Sequence, residues 1–296
     1  MRPRVTSVGS YNVDYYLVVD RLPAPGETVR ARGSYTGHGG KGSNQAVSAA
    51  RLGASARLVA AVGRDPEGSA ALEFLKSEGV DVSGVYVKGS RTGRAYIVVS
   101  GGQNLIVVDP GANAELSPDD VRRALAGSAG GVLLASLEVP LESVEAALES
   151  FGGLRVLNPA PASPEARRLL PMADVVTPNE VEALQLSGAS SVAEAVERLL
   201  ELAPAVIVTL GERGAVVAER GSGRLVEVPA PRVDAVDPTG AGDAFNAALA
   251  YALGCGSDLL AAARFAVAAA SMKVARRGAL GLRSEELAAA GVELPC

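Results

Sequence analysis

Short apolar runs rich in valine, leucine and alanine alternate along the chain with longer alanine-rich stretches of helical period. The runs Val5–Val8, Arg57–Val62, Gly131–Leu137, Arg155–Leu157, Asp174–Val176, Ala205–Thr209 and Ala215–Ala218 read as core strands. Between them, Ser43–Leu52, Glu67–Ser77, Pro118–Leu125, Leu141–Leu148, Glu180–Leu186, Val192–Leu202, Gly242–Leu253 and Leu259–Val274 read as helices. Near-continuous apolar strands separated by helices predict an α/β fold, a mostly parallel central sheet covered on both faces. Two regions break the alternation. Val13–Asp20 and Glu27–Thr36 form one pair of strand-like runs, and Arg94–Val99 and Leu105–Val108 form another around Gly101-Gly102. With no helix between their members, these runs are expected to pair antiparallel, as a small β flap built from two insertions.

Ligands of open α/β sheets lie beyond the carboxyl ends of the strands. Those ends carry Glu138, Asn158, Thr177-Pro178-Asn179 and Leu210-Gly211, a set that points to a polar ligand. Thr177-Pro178-Asn179-Glu180 reads as a capping box with proline in the first turn. Asn179 and Glu182, spaced i and i+3, are left on one face, where they suit the water shell of Mg²⁺.

The segment Asp237-Pro238-Thr239-Gly240-Ala241-Gly242-Asp243-Ala244-Phe245 is a small-residue loop opening into an apolar helix. Its backbone N–H groups suit an anion. An aspartate beside an anion hole repels the anion unless it must take a proton from an attacking hydroxyl, as phosphoryl transfer requires. Gly37-His38-Gly39-Gly40-Lys41-Gly42 matches GxGxxG formally, but it does not follow the first strand and no acidic residue closes the next one. Nor is it a Walker A loop, since Gly42 stands where Ser or Thr belongs. A turn that lets backbone approach a small polyol fits better.

Composition narrows the chemistry further. The 296 residues are 48% hydrophobic and 21% charged, which fits one large α/β unit. With His38 alone, a histidine-built zinc site is excluded, and a Ser-His-Asp triad would need that one residue. Cys255 and Cys296 form no CxxC pair and are expected as free thiols in a reducing cytoplasm. Net charge −5, no Trp and four Phe argue against nucleic acid as a partner. The N-terminus shows no apolar leader and no apolar run reaches a membrane span, so a cytoplasmic, soluble chain is expected, with no membrane partner.

Gly39-Gly40-Lys41-Gly42-Ser43-Asn44-Gln45-Ala46-Val47 and Asp237 through Phe245 resemble the two signatures of the ribokinase-like (PfkB) carbohydrate kinases. Gly9-Ser10-Tyr11-Asn12-Val13-Asp14, Pro110-Gly111-Ala112-Asn113, Asn158-Pro159-Ala160-Pro161 and Thr209-Leu210-Gly211-Glu212-Arg213-Gly214 extend the resemblance in order. It implies a three-layer sandwich over 1–296 with a β lid from about 12–36 and 90–109. It also implies ATP-dependent phosphorylation of the ribose 5-hydroxyl, the alternative substrates being a nucleoside, ribose-1-phosphate or another sugar. Carried over, Asp243 would be the base and Gly240, Ala241 and Gly242 the anion hole. Asn12, Asp14, Gly40, Lys41, Asn44 and Glu138 would hold the sugar. Asn179, Thr209, Gly211 and Gly214 would line ATP, and Glu182 would organise Mg²⁺ through water. A monovalent cation, K⁺, would use Asp237 and the carbonyls of Thr239, Lys273, Arg276 and Gly278. The strands of such a lid would expose apolar edges in a monomer, so a homodimer joined through the lids is expected. The chain departs from the family's frequent residues at Ser43, Val267 and Leu282.

Overall fold

A computed structural model describes residues 2–100, 103–128 and 130–296. The thirteen strands are β1 (Arg4–Val8), β2 (Asn12–Val18), β3 (Gly33–Gly39), β4 (Ser55–Val62), β5 (Asp81–Val87), β6 (Gly93–Ser100), β7 (Gln103–Asp109), β8 (Val132–Ser136), β9 (Leu154–Asn158), β10 (Val175–Val176), β11 (Ala205–Thr209), β12 (Ala215–Glu219) and β13 (Leu225–Val228). Nine of them form one sheet in the order β13-β12-β11-β10-β9-β8-β1-β4-β5. Every neighbouring pair from β11 to β5 is parallel, and only the β11–β12 and β12–β13 pairs at one edge are antiparallel.

The period-2 alternation along each strand feeds three apolar clusters, the smallest gathering Tyr11, Val47, Leu58, Ala60, Val62 and Leu75. Val8, Leu133, Leu157 and Val206 face helices Pro118–Leu125, Leu141–Ser150, Glu180–Ser187 and Val192–Leu200. Val5, Leu134, Val156 and Ile207 face helices Lys41–Arg51, Ala241–Gly254 and Leu259–Val274. The three-layer expectation therefore holds. β5 and β13 were not expected from the sequence. Both lie at sheet edges, where half-exposed strands carry a weak apolar signal, and Gly84 interrupts β5 where a Cβ would sit 2.7 Å from the Leu58 carbonyl oxygen.

The remaining strands form a second sheet, β3-β2-β6-β7. Here the structure corrects two expectations. β2 pairs antiparallel with β3, and β6 with β7, but the two hairpins join through a parallel β2–β6 pair. The long excursion from β3 through the main sheet and back to β6 permits this, since a parallel pair needs a crossover connection. The second strand also lies at Gly33–Gly39 rather than Glu27–Thr36, because β2 ends at Val18 and the register pairs Val18 with Gly33 and Asn12 with Gly39. The Gly101-Gly102 turn lies outside the described residues.

The cysteines are a third correction. Cys255 and Cys296 are joined in a disulfide, with Cα atoms 5.8 Å apart. The C-terminal segment folds back on the end of the Ala241–Gly254 helix, where Val292 and Leu294 join the core and the Tyr251 hydroxyl donates to the Cys296 carbonyl at 3.0 Å. Composition carries no information about that return.

Candidate active site

The carboxyl ends of β9, β10 and β11 border a crevice of about 130 Å³. Lys41, Asn158, Thr177, Asn179, Glu182, Thr209, Gly240, Ala241, Gly242 and Asp243 line it. A larger open hollow of about 760 Å³ against β12 and the Val192–Leu200 helix holds none of these residues.

Two helices meet at Asp243. The Lys41–Arg51 helix starts two residues earlier than its apolar period suggests, because Gly40 with φ +89° caps it. A Cβ on Gly40 would meet the Tyr11 and Asn12 backbone at 2.7–2.8 Å, and one on Gly42 would meet Gly9 at 2.6 Å. The glycines thus let the helix press against the chain leaving β1, as Ser43 N–H does by donating to the Ser10 carbonyl at 2.9 Å. That approach aims Asn44 and Gln45 at the second helix, Ala241–Gly254. Asn44 Nδ2 donates to Asp243 Oδ2 at 3.0 Å and Gln45 Nε2 to Asp243 Oδ1 at 3.1 Å. Asn44 Oδ1 and Gln45 Oε1 are buried without a partner among the described residues. Ser43 is not idle: its hydroxyl donates to the Gly39 carbonyl at 2.6 Å.

Gln45 is a site residue that the sequence reading missed. Its amide also donates to Asn158 Oδ1 at 3.2 Å, Asn158 donates to the Thr177 carbonyl at 3.1 Å, and Thr177 Oγ1 donates to Asn246 Oδ1 at 2.5 Å. Asn246 returns the chain to the Gly242 carbonyl at 2.8 Å. This network ties two strand ends to both helices. It also overturns the expected capping box, since Thr177 serves Asn246. Asn179 is the N-cap instead: its Oδ1 accepts the Glu182 N–H and Glu182 Oε2 accepts the Asn179 N–H, each at 2.8 Å. β10 and its continuation to the Asn179–Thr209 bridge keep the chain extended two residues further than expected.

Burial sets the electrostatics. Asp243 is 7% exposed, and loss of water raises its pKa, opposed by the Lys41 charge and the Asn44 amide. Burial lowers the Lys41 pKa, but Asp243, Glu138 and Glu182 together raise it above the usual lysine value. Asp14 is pushed up to about 6, first by burial and then by Glu138 and Asp243, against the Tyr16 hydroxyl that donates to it at 3.2 Å. Glu182 is also raised, chiefly by burial. Glu138 Oε2 accepts the Lys41 N–H at 3.0 Å and the Ser10 hydroxyl, and Asn12 Oδ1 accepts from Asn113, another missed residue, at 2.8 Å.

In the Asp237–Phe245 loop, Gly240 caps the helix at φ +73°. The N–H groups of Gly242 and Asp243 lie before the first intrahelical bond, Ala244 N–H to the Gly240 carbonyl at 2.9 Å, and face the crevice. The Ala241 N–H, expected in the anion hole, turns back to the Pro238 carbonyl at 3.1 Å. Of the expected ATP-lining residues, Asn179 and Thr209 reach the crevice; Gly211 and Gly214 form the tight turn after β11 and are absent from its lining.

The expected K⁺ ligands do not fit that ion. The Asp237 carbonyl accepts Lys273 Nζ at 2.9 Å and the Thr239 carbonyl accepts it too, while the Lys273 carbonyl takes the Arg276 N–H at 2.9 Å. Leu282 is buried in the apolar core, as is Val267.

A family model described as pfkB family carbohydrate kinase matches residues 2–285. The chain belongs to this family. The pfkB chain is 40% identical over 280 residues to the ribokinase of Bacillus subtilis, covering 93% of this chain and 94% of that one, and 38% identical over 293 residues to the ribokinase of Haemophilus influenzae, covering 94% of each. Among solved structures, the Thermotoga maritima ribokinase superposes with a TM-score of 0.89 at 36% identity, covering 97% of this chain and 98% of that one. The Arabidopsis thaliana ribokinase complexed with ribose and ATP superposes with 0.84 at 31% identity over 98% of both chains. As a carbohydrate kinase of this fold, the pfkB chain transfers a phosphoryl group to a sugar.

Proposed function

We propose that this chain is a ribokinase, transferring the γ-phosphoryl group of ATP to O5 of D-ribose, with 1–296 as one kinase unit and the small sheet as its lid. The observation that carries the reading is Asp243 buried between two sets of groups. On one side stand Asn12, Asp14, Asn44 and Glu138, oxygen- and amide-bearing side chains suited to sugar hydroxyls; on the other lies the crevice with the open Gly242 and Asp243 N–H groups. The named ribokinase relatives, and the one bound to ribose and ATP, support the substrate pair.

In this reading Asp243 takes the proton from the O5 hydroxyl as that oxygen attacks phosphorus, and its raised pKa brings it closer to the hydroxyl it must deprotonate. Gly240 and the N–H groups of the first turn receive charge developing on the phosphoryl oxygens, and the Lys41 ammonium adds to them. Gly40 sets the turn that places Lys41. Glu182 lines the crevice with one carboxylate oxygen free of the capping bond, which fits Mg²⁺ held through water. When bound, that ion would neutralise charge on the ATP phosphates. Asn179 and Thr209 would line the nucleotide. Because ATP is the donor, the reaction belongs in the cytoplasm; no helix among the described residues is long and apolar enough to cross a membrane.

Of the tyrosines near the lid, Tyr16 and Tyr35 share the face of Asn12 and Asp14, where they stack at 4.5 Å and Tyr16 donates to Asp14. Tyr11 is wholly buried, and Tyr15 stacks on Tyr96 at 5.5 Å on the sheet face opposite Asn12 and Asp14. A coupled assay across ribose, 2-deoxyribose, fructose, ribose-1-phosphate and nucleosides tests the assignment. Preference for ribose by about tenfold or more in kcat/KM supports it, because a missing hydroxyl leaves site groups unpaired. A larger value for a nucleoside or ribose-1-phosphate overturns it.

Ribose affinity should fall with pH through about 6, where Asp14 takes up a proton and loses acceptor capacity. The sign is that of a raised carboxylate: Asp14 favours the folded, sugar-free protein below its unfolded value near 3.8 and loses that contribution as pH rises through about 6. Calorimetric titration of ribose between pH 5 and 8 checks this, and Asp14→Asn should remove the inflection.

The lid leaves Leu17, Tyr35, Leu105, Ile106, Val107 and Val108 between 40% and 57% exposed. An apolar sheet so open calls for a partner, and we assign a homodimer through the lids. Light scattering should give twice the chain mass, and Ile106→Lys with Val108→Lys should halve it.

A further inference from the structure

Basic residues in this chain are overwhelmingly arginine; lysine occurs only at 41, 76, 88 and 273. Lys41 lines the candidate active site, and Lys273, 1% exposed, reaches the loop that borders it. Burying an ammonium costs several kcal/mol unless it is well partnered. Lys273 extends from the last turn of the Leu259–Val274 helix to the carbonyls of Asp237 and Thr239, the first of these at 2.9 Å. Both carbonyls belong to the loop that leads into Gly240. The Asp237 carboxylate holds the same junction from the other side, accepting the Thr239 N–H at 2.9 Å and the Gly278 N–H at 2.8 Å.

We infer that the Lys273 ammonium is a built-in monovalent cation, orienting the Asp237–Gly242 loop so that the enzyme needs no K⁺. A compact point charge suits two converging carbonyls, where the planar fork of arginine would not, which explains a lysine in a chain that elsewhere uses arginine. Lys273 is thus a positioning residue, acting through the loop rather than on substrate. This inference rests on the kinase reading above for its activity readout, but not for its melting readout.

The experiment compares wild type, Lys273→Ala and Lys273→Met in tetramethylammonium chloride and in KCl at equal ionic strength. Wild-type kcat/KM for ribose should change by less than about twofold between the salts, since no site favours K⁺. Lys273→Ala should lose about tenfold or more without K⁺ and regain most of it with K⁺, which can enter the space vacated beside the two carbonyls. Lys273→Met should lose as much and regain nothing. Melting temperature is the readout that needs no substrate: KCl should raise it for Lys273→Ala and leave wild type unmoved. Activation of wild type by K⁺ of about tenfold, or a K⁺-dependent rise in its melting temperature, would overturn the inference. So would a Lys273→Ala enzyme that is fully active without K⁺. Should wild type phosphorylate no ribose, the substrate reading fails and the melting comparison still decides the role of Lys273; the wild-type arm holds even if a variant does not fold.

Discussion

Replacing Asp243 by asparagine is expected to lower kcat by about 10²–10⁴-fold while ribose and ATP affinities stay within several-fold, the range for removing a general base of unchanged shape. The carboxylate receives two amide donors, from Asn44 at 3.0 Å and Gln45 at 3.1 Å. An asparagine offers one oxygen and one NH₂, so one of these contacts becomes donor against donor. Asn44 can relieve it by turning its unpartnered oxygen inward, whereas Gln45 is held by Asn158 as well. The fold should therefore survive the change, and a melting curve close to wild type would separate lost chemistry from lost structure. Steady-state kinetics with calorimetric ribose binding measure the effect. A kcat within tenfold of wild type would remove Asp243 from the base role.

Gly240→Ala should be almost as damaging, by a different route. Gly240 caps the Ala241–Gly254 helix at φ +73°, and a Cβ there would stand 1.9 Å from the Ala279 carbonyl oxygen. The alanine must leave the left-handed region or displace backbone, at a cost of about 1–3 kcal/mol for the conformation alone. Either movement turns the first-turn N–H groups away from the crevice. Loss of one such donor costs about 10²–10³ in kcat in enzymes that stabilise an oxyanion, and a similar loss is expected here. Gly242→Ala is the control, since a Cβ at that position meets nothing within 4 Å. It should melt as wild type does, while the methyl group narrows the crevice that Gly242 lines and raises KM for ATP. Equal melting temperatures for Gly240→Ala and wild type would contradict the strain argument.

Seven of the nine strands of the main sheet, its two-faced core and the aspartate at the mouth of the Ala241–Gly254 helix were legible in the sequence alone. Each follows from a local regularity: period-2 apolar runs, period-3.6 helices, and a glycine-rich loop followed by an acidic residue. What adjacency in space decides was not legible. The parallel β2–β6 pair joins segments about 80 residues apart, and the Cys255–Cys296 bond depends on where the chain end returns. Gln45 reads as an ordinary helix residue beside Asn44 until the close approach allowed by Gly42 brings both amides onto Asp243. Asn179 and Glu182 satisfy the capping pattern as readily as Thr177 and Glu180 do, and only the Asn179–Thr209 bridge chooses between them. Lys273 shows the limit most sharply. The family resemblance marks its carbonyl as a cation ligand, but the tertiary structure places its side chain on the carbonyls of Asp237 and Thr239, because a helix end and a loop 34 residues away meet there.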